Sequence, residues 1–198
     1  MRKPKQIYSR TAIVGLLFLY AASVFAHDGV HPGIMGFADG LAHPFSGLDH
    51  LLAMLGIGLW AAQNRRSALW VLPIAFPLMM VLGAALATMG LTMSFVEPGI
   101  AGSVAVLGLL IAFTVRMPVW AAAILVSLFG MFHGYAHGVE MPRDATLGMF
   151  SLGFVLATLL LHLAGVAIGL LARHPRALSA VRLGGVGIAA VGMYLLAA

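Results

Sequence analysis

Cysteine is absent from all 198 residues. That excludes disulfide bridges and thiolate metal sites, and it fits an oxidising compartment. Charge is scarce too. Asp, Glu, Lys and Arg make up 9% of the chain, against about 25% in a soluble domain. Hydrophobic residues make up 62%. Such a chain cannot cover a water-facing surface, and it reads as an all-α, polytopic membrane helix bundle. The net charge of +5 suggests a basic protein, yet Arg2, Lys3, Lys5 and Arg10 supply four of the eleven basic residues. The other seven nearly balance six acids, so no nucleic-acid patch remains. No GxxxxGK[ST] loop exists, so the chain has no ATP-driven motor of its own.

What is present begins with a targeting segment. Residues 1–26 read as a cleavable secretory signal peptide, with a positive start, an apolar core from Ala12 to Tyr20, and Val24 and Ala26 at the −3 and −1 positions. An uncleaved first helix is the alternative. Cleavage makes His27 the mature N-terminus and leaves 27–198 as a single transmembrane helical domain.

Charges and prolines then mark six transmembrane helices: 44–63, one of about 20 residues within 67–96, 99–115, 118–140, one within 145–172, and 183–198. Residues 33–42 read as a short apolar segment broken by Asp39, with Pro44 in the first turn of the first span. Pro73 and Pro77 are expected to kink the second span, and Glu97-Pro98 to form a turn. The sixth span is short and calls on Arg182 to snorkel. Trp60, Trp70 and Trp120 read as an interfacial aromatic belt. Arg65, Arg66, Arg116, Arg173, Arg176 and Arg182 fall on one side, and Arg143 alone on the other. The first side is then cytoplasmic and the mature N-terminus periplasmic, as for a bacterial inner-membrane protein.

Two clusters of titratable residues interrupt the apolar runs. In Phe132-His133-Gly134-Tyr135-Ala136-His137-Gly138-Val139-Glu140, the spacing i, i+4, i+7 puts His133, His137 and Glu140 on one helix face. Gly130, Gly134 and Gly138 form a small-residue stripe beside that face, and Gly165 with Gly169 forms another pair for close helix approach. The second cluster is His43-Pro44-Phe45-Ser46-Gly47-Leu48-Asp49-His50, with Asp49-His50 placed one to two turns inside the first span. An ionised Asp near the middle of a bilayer costs about 2.5–3.5 kcal/mol, so its presence asks for a reason. Asp49 and His133 each lie fifteen residues from the cytoplasmic end of their spans. Both therefore sit about 22 Å above the inner surface, and the two clusters are expected to form one site.

Imidazole and carboxylate donors without thiolate suit Ni²⁺ or Co²⁺ well, Zn²⁺ less well and Mg²⁺ poorly. An interhelical hydrogen-bond network without metal is the alternative. The two clusters resemble the signature motifs of the HupE/UreJ family, small membrane proteins associated with hydrogenase and urease and regarded as secondary nickel, in some members cobalt, permeases. The resemblance covers nearly the whole chain. It implies that His43, Asp49, His50, His133, His137 and Glu140 serve metal recognition or passage. The first motif differs by one residue in spacing from the His-x4-Asp-His pattern of the larger nickel/cobalt permeases.

Three further expectations concern flanking residues. A mature His27 offers an α-amine and an imidazole as a chelate, with Asp28 and His31 as added donors. A solvated tail is the alternative. His162, eleven residues from Arg173 in the fifth span, is a candidate second station on the path inward, or a buried histidine bonded to Thr158 or a neighbour. The leading function is a permease that takes Ni²⁺ or Co²⁺ from the outer side and hands it to cytoplasmic nickel chaperones, with no prosthetic cofactor and no catalysis. The alternatives are an intramembrane zinc hydrolase, in which Ser46 near His50 helps assemble an activated water, and an accessory protein that binds metal without transport.

Overall fold

In lipid every backbone polar group must be satisfied within the chain, which leaves an apolar sequence of this kind little choice but helix. The computed structural model describes residues 32–140, 147–172 and 175–198. Residues 1–31, including the expected signal peptide and His27, Asp28 and His31, lie outside the described residues. So do Arg143 and Arg173. Seven α-helices and one 3₁₀ turn make up the described part, with no strand among the described residues. They are α1 (Pro32–Ala42), the 3₁₀ turn (His43–Phe45), α2 (Leu48–Gln63), α3 (Ala68–Thr88), α4 (Val96–Ala112), α5 (Val119–Glu140), α6 (Leu147–Leu171) and α7 (Pro175–Ala197).

Four of these helices, α3, α5, α6 and α7, are long and apolar enough to cross a membrane. A fifth crossing arises if α1 and α2, bent by 78° across the 3₁₀ turn, count as one broken span. The apolar α4 has 17 residues and falls just short. The described residues thus give four to five candidate spans where the sequence reading expects six.

Several boundaries differ from that reading, each for a local reason. Asp39 does not break α1; it sits exposed on the helix. Pro44 opens no long helix. It lies in the 3₁₀ turn, and α2 starts only after Gly47, whose extended φ of −106° and ψ of 126° ends the turn. Asp49 and His50 therefore occupy the first turn of α2, not its interior. Glu97-Pro98 is the first turn of α4, a place that suits both an acid and a residue without an N–H. The last helix begins at Pro175 rather than 183, so Arg182 lies inside it. Instead of snorkelling, its Nε–H donates to the carbonyl of Ala112 (2.8 Å), one of the orphan acceptors at the end of α4.

The helix α2 runs through the centre. It packs on α3, α4 and α6, while α3 pairs with α5 and α4 with α7. Met54, Ile57, Trp60, Leu72, Phe76, Leu107, Ile111 and Val126 are fully buried between them. Large apolar residues such as Leu78, Ile124, Leu156 and Leu183 face outward, as a lipid-facing surface requires.

The glycine stripe of α5 sets the closest pairing. A Cβ on Gly130, Gly134 or Gly138 would run into the backbone of Phe76, Met80 or Ala84 on α3. Gly165 likewise meets the Leu55 carbonyl and Gly169 the Ala62 side chain, both on α2.

One end of the bundle, where Arg65, Arg66, Arg116 and Arg182 lie, is tied by polar side chains. Trp60 Nε1–H donates to Val115 O (2.8 Å), Gln63 Nε2–H to Ile111 O (3.2 Å), and the Met117 N–H to Asn64 Oδ1 (3.0 Å). Trp60 is therefore a core residue, not part of an interfacial belt. Trp70 and Trp120, both 67% exposed, remain placed for that role. At the other end, Tyr135 pins the connection between α3 and α4. Its hydroxyl donates to Leu91 O (2.9 Å) and accepts from the Met93 N–H (3.1 Å).

Candidate metal centre

The broken segment before α2 brings His43 and His50 to the same place by different routes. His43 stands on the 3₁₀ turn, and its ring centroid lies 4.8 Å from that of His137 on α5. His50, in the first turn of α2, lies 4.4 Å from His137 and 5.0 Å from His133. Four imidazoles from two segments about ninety residues apart in sequence thus form one nest around His137. Both motifs singled out in the sequence meet there.

Hydrogen bonds fix which ring nitrogens face inward. The Asp49 carboxylate (Oδ1) accepts the His50 Nδ1–H at 2.8 Å and the His50 backbone N–H at 2.9 Å. His133 Nδ1–H donates to the carbonyl of Phe129 at 2.9 Å, one turn back on α5. In each ring the proton is held on Nδ1, and Nε2 is left with its lone pair. Both Nε2 atoms are buried without a hydrogen-bond partner, as are both ring nitrogens of His137. Such groups, buried and unpaired, each cost about 1–3 kcal/mol, so four of them together are unlike ordinary packing.

Glu140 closes the nest on its more open side. Its Oε2 lies 3.5 Å from His43 Nε2 and 3.9 Å from His137 Nδ1. One ligand atom from each of His43, His137 and Glu140 falls within 4.8 Å of the others, a spacing a single cation can span. Asp49, by contrast, faces its own neighbour His50. Its geometry is that of a carboxylate that orients a histidine and raises its basicity.

Aromatic side chains wall the nest, and the sequence reading did not single them out. Phe154 lies 4.3 Å from His137, Phe150 lies 5.6 Å from His43, and Phe76 lies 5.3 Å from His133. A small space of about 30 Å³, roughly one water-sized sphere, borders His137 beside Phe150 and Phe154. In an apolar chain with eleven Phe residues, no local signal separates these three from lipid-facing ones.

Two other expectations resolve differently. The Ser46 hydroxyl is exposed and donates to the His43 carbonyl at 2.6 Å, so it caps the 3₁₀ turn and does not address His50. His162 is fully buried on α6, but it is not bonded to Thr158: neither its ring nitrogens nor the Thr158 hydroxyl has a partner.

An apolar helical bundle with four to five candidate spans is a multi-pass membrane protein, and this one buries a nest of unpaired imidazoles near one end. Comparison with known sequences narrows this class. The family model described as HupE / UreJ protein matches residues 15–195. Protein HupE of Rhizobium leguminosarum bv. viciae is 40% identical over 171 residues, which cover 86% of this chain and 88% of that protein. The chain belongs to the HupE/UreJ family. No solved structure matches it.

Proposed function

We propose that this protein is a secondary permease for a divalent transition-metal ion, Ni²⁺ first and Co²⁺ second, supplying cytoplasmic maturation of a metalloenzyme such as a hydrogenase or urease. The observation that carries this reading is the nest of unpaired Nε2 atoms from His50 and His133 around His137, with Glu140 at its edge. Nitrogen-rich, sulfur-free donors favour late first-row divalent ions. His43, His50, His133, His137 and Glu140 contact the ion, and Asp49 orients His50.

Counting the bent α1–α2 pair as one crossing and α4 as another gives six spans in the inner membrane. The arginine-bearing end faces the cytoplasm and the mature N-terminus faces the periplasm. His27, Asp28 and His31, exposed by signal-peptide cleavage, gather the ion outside and pass it to the nest. The ion leaves toward cytoplasmic nickel chaperones. The membrane potential supplies about 4.6 kcal/mol per 100 mV for a divalent cation, enough to drive inward movement without ATP.

Uptake of radioactive nickel into proteoliposomes with an inside-negative potential tests this. Saturable, potential-driven uptake that is lost in His137→Ala supports it. Tight nickel binding with no uptake by the wild-type protein would point to an accessory metal-binding role instead.

A further inference from the structure

Past the nest, the interior holds a second set of polar groups that the two motifs do not include. His162 and Thr158 lie one turn apart on the same face of α6, and both are fully buried. Both His162 ring nitrogens and the Thr158 hydroxyl lack a hydrogen-bond partner. A third group comes from α3. The carbonyl of Pro73 would ordinarily accept the N–H of residue 77, but that residue is Pro77 and has none. Both prolines are buried within α3. The Pro73 backbone carbonyl is a polar neighbour of the His162 ring.

These groups stand one aromatic ring from the nest. Phe76 contacts His133 at 5.3 Å on one side and His162 at 5.5 Å on the other, centroid to centroid. In the opposite direction along α6, Gly169 and Ala172 border a recess of about 940 Å³ at the arginine-bearing end. Seven residues separate His162 from Gly169, or about 10 Å of helix. His162 thus lies between the nest and a space open at the far end.

We propose that His162, with the Thr158 hydroxyl and the Pro73 carbonyl, forms a second station for the divalent cation on its way to the arginine-bearing end. The inference rests on the transport reading of the nest. The donors are one imidazole nitrogen and two neutral oxygens, types that divalent first-row ions accept. Among the described residues no carboxylate is set beside His162. A site without charge holds a cation loosely, which suits a place the ion must leave as well as enter.

The test uses the full-length protein in proteoliposomes, with nickel as the probe. His162→Leu is expected to lower the nickel uptake rate at saturation about tenfold or more, while the half-saturating concentration stays within about twofold. Thr158→Val, which keeps the volume, is expected to lower the rate to a smaller degree with the same pattern. Wild-type rates in both variants overturn the station and leave the transport reading intact. Absence of uptake by the wild-type protein overturns both. Metal-soaked crystals of the wild-type protein decide the matter even where the variants fold poorly. Anomalous scattering at the nickel edge beside a His162 ring nitrogen supports the station, and density at the nest alone overturns it.

Discussion

If Asp49 acts through His50, the two should behave as a unit. The Asp49 carboxylate accepts both the ring and the backbone N–H of His50, at 2.8 and 2.9 Å, and does not reach across the nest. Partners that orient a ligating histidine change metal affinity by about 10–100-fold when removed. That corresponds to about 1.4–2.7 kcal/mol. Asp49→Ala is therefore expected to weaken nickel binding by that amount. Asp49→Asn should lose less, because its amide oxygen can still accept the ring N–H and hold the tautomer. His50→Ala removes the proposed ligand outright. On that background Asp49→Ala should add almost nothing, since the group it orients is gone. Equilibrium dialysis of nickel against the four full-length proteins in lipid nanodiscs closes the cycle. A coupling energy close to the whole effect of Asp49→Ala confirms an orienting role. Additive losses, within about 0.3–0.5 kcal/mol, would refute it and make Asp49 a ligand in its own right.

Other consequences concern packing and the turn. Gly134→Ala puts a methyl group against the Met80 backbone, which cannot yield, and is expected to cost about 1–3 kcal/mol in a thermal melt in detergent. Gly148→Ala has nothing within 4 Å of the new methyl and should shift stability by less than about 0.5 kcal/mol. Arg182→Met keeps the aliphatic stem but frees the Ala112 carbonyl; about 1 kcal/mol of stability should go, with nickel uptake retained. Ser46→Ala should leave uptake unchanged, because the hydroxyl only caps the turn; loss of transport on that change would return Ser46 to the chemistry.

Much of this arrangement is legible in the chain before any coordinates. Scarcity of charge points to apolar helices, and the i, i+4, i+7 spacing of His133, His137 and Glu140 puts them on one face of α5. The four-residue glycine repeat anticipates the close α3–α5 contact. Counting residues from the arginine-bearing end brings Asp49 and His133 to one depth, and the ring of the next residue, His50, lies 5.0 Å from that of His133. Other features have no sequence signal. The burial of Trp60 depends on the Val115 carbonyl, fifty-five residues away. The spare Pro73 carbonyl matters only because α6 lays His162 beside it. The aromatic walls at Phe76, Phe150 and Phe154 are three among eleven chemically identical side chains.

The break before α2 is the least legible feature and the one that makes the nest. Read as one continuous helix, His43 and His50 stand seven residues apart, about 10 Å along the axis. At that separation a single imidazole on a neighbouring helix contacts both only if both side chains lean toward it. The turn at 43–45 and the extended Gly47 bend the segment by 78°, and His137 then contacts His43 at 4.8 Å and His50 at 4.4 Å. Pro44 lies within the turn, and Gly47, whose backbone angles suit any residue, leaves room for the Asp49–His50 pair. A Cβ at Gly47 would press on Asp49 Oδ1 at 2.7 Å and on His50 Nδ1 at 2.9 Å, the two atoms whose hydrogen bond sets the tautomer. The residues between the histidines are therefore as much part of the site as the histidines themselves. Pro44 and Gly47 offer no donor side chain, yet the fold of those few residues decides whether the two motifs are neighbours or strangers.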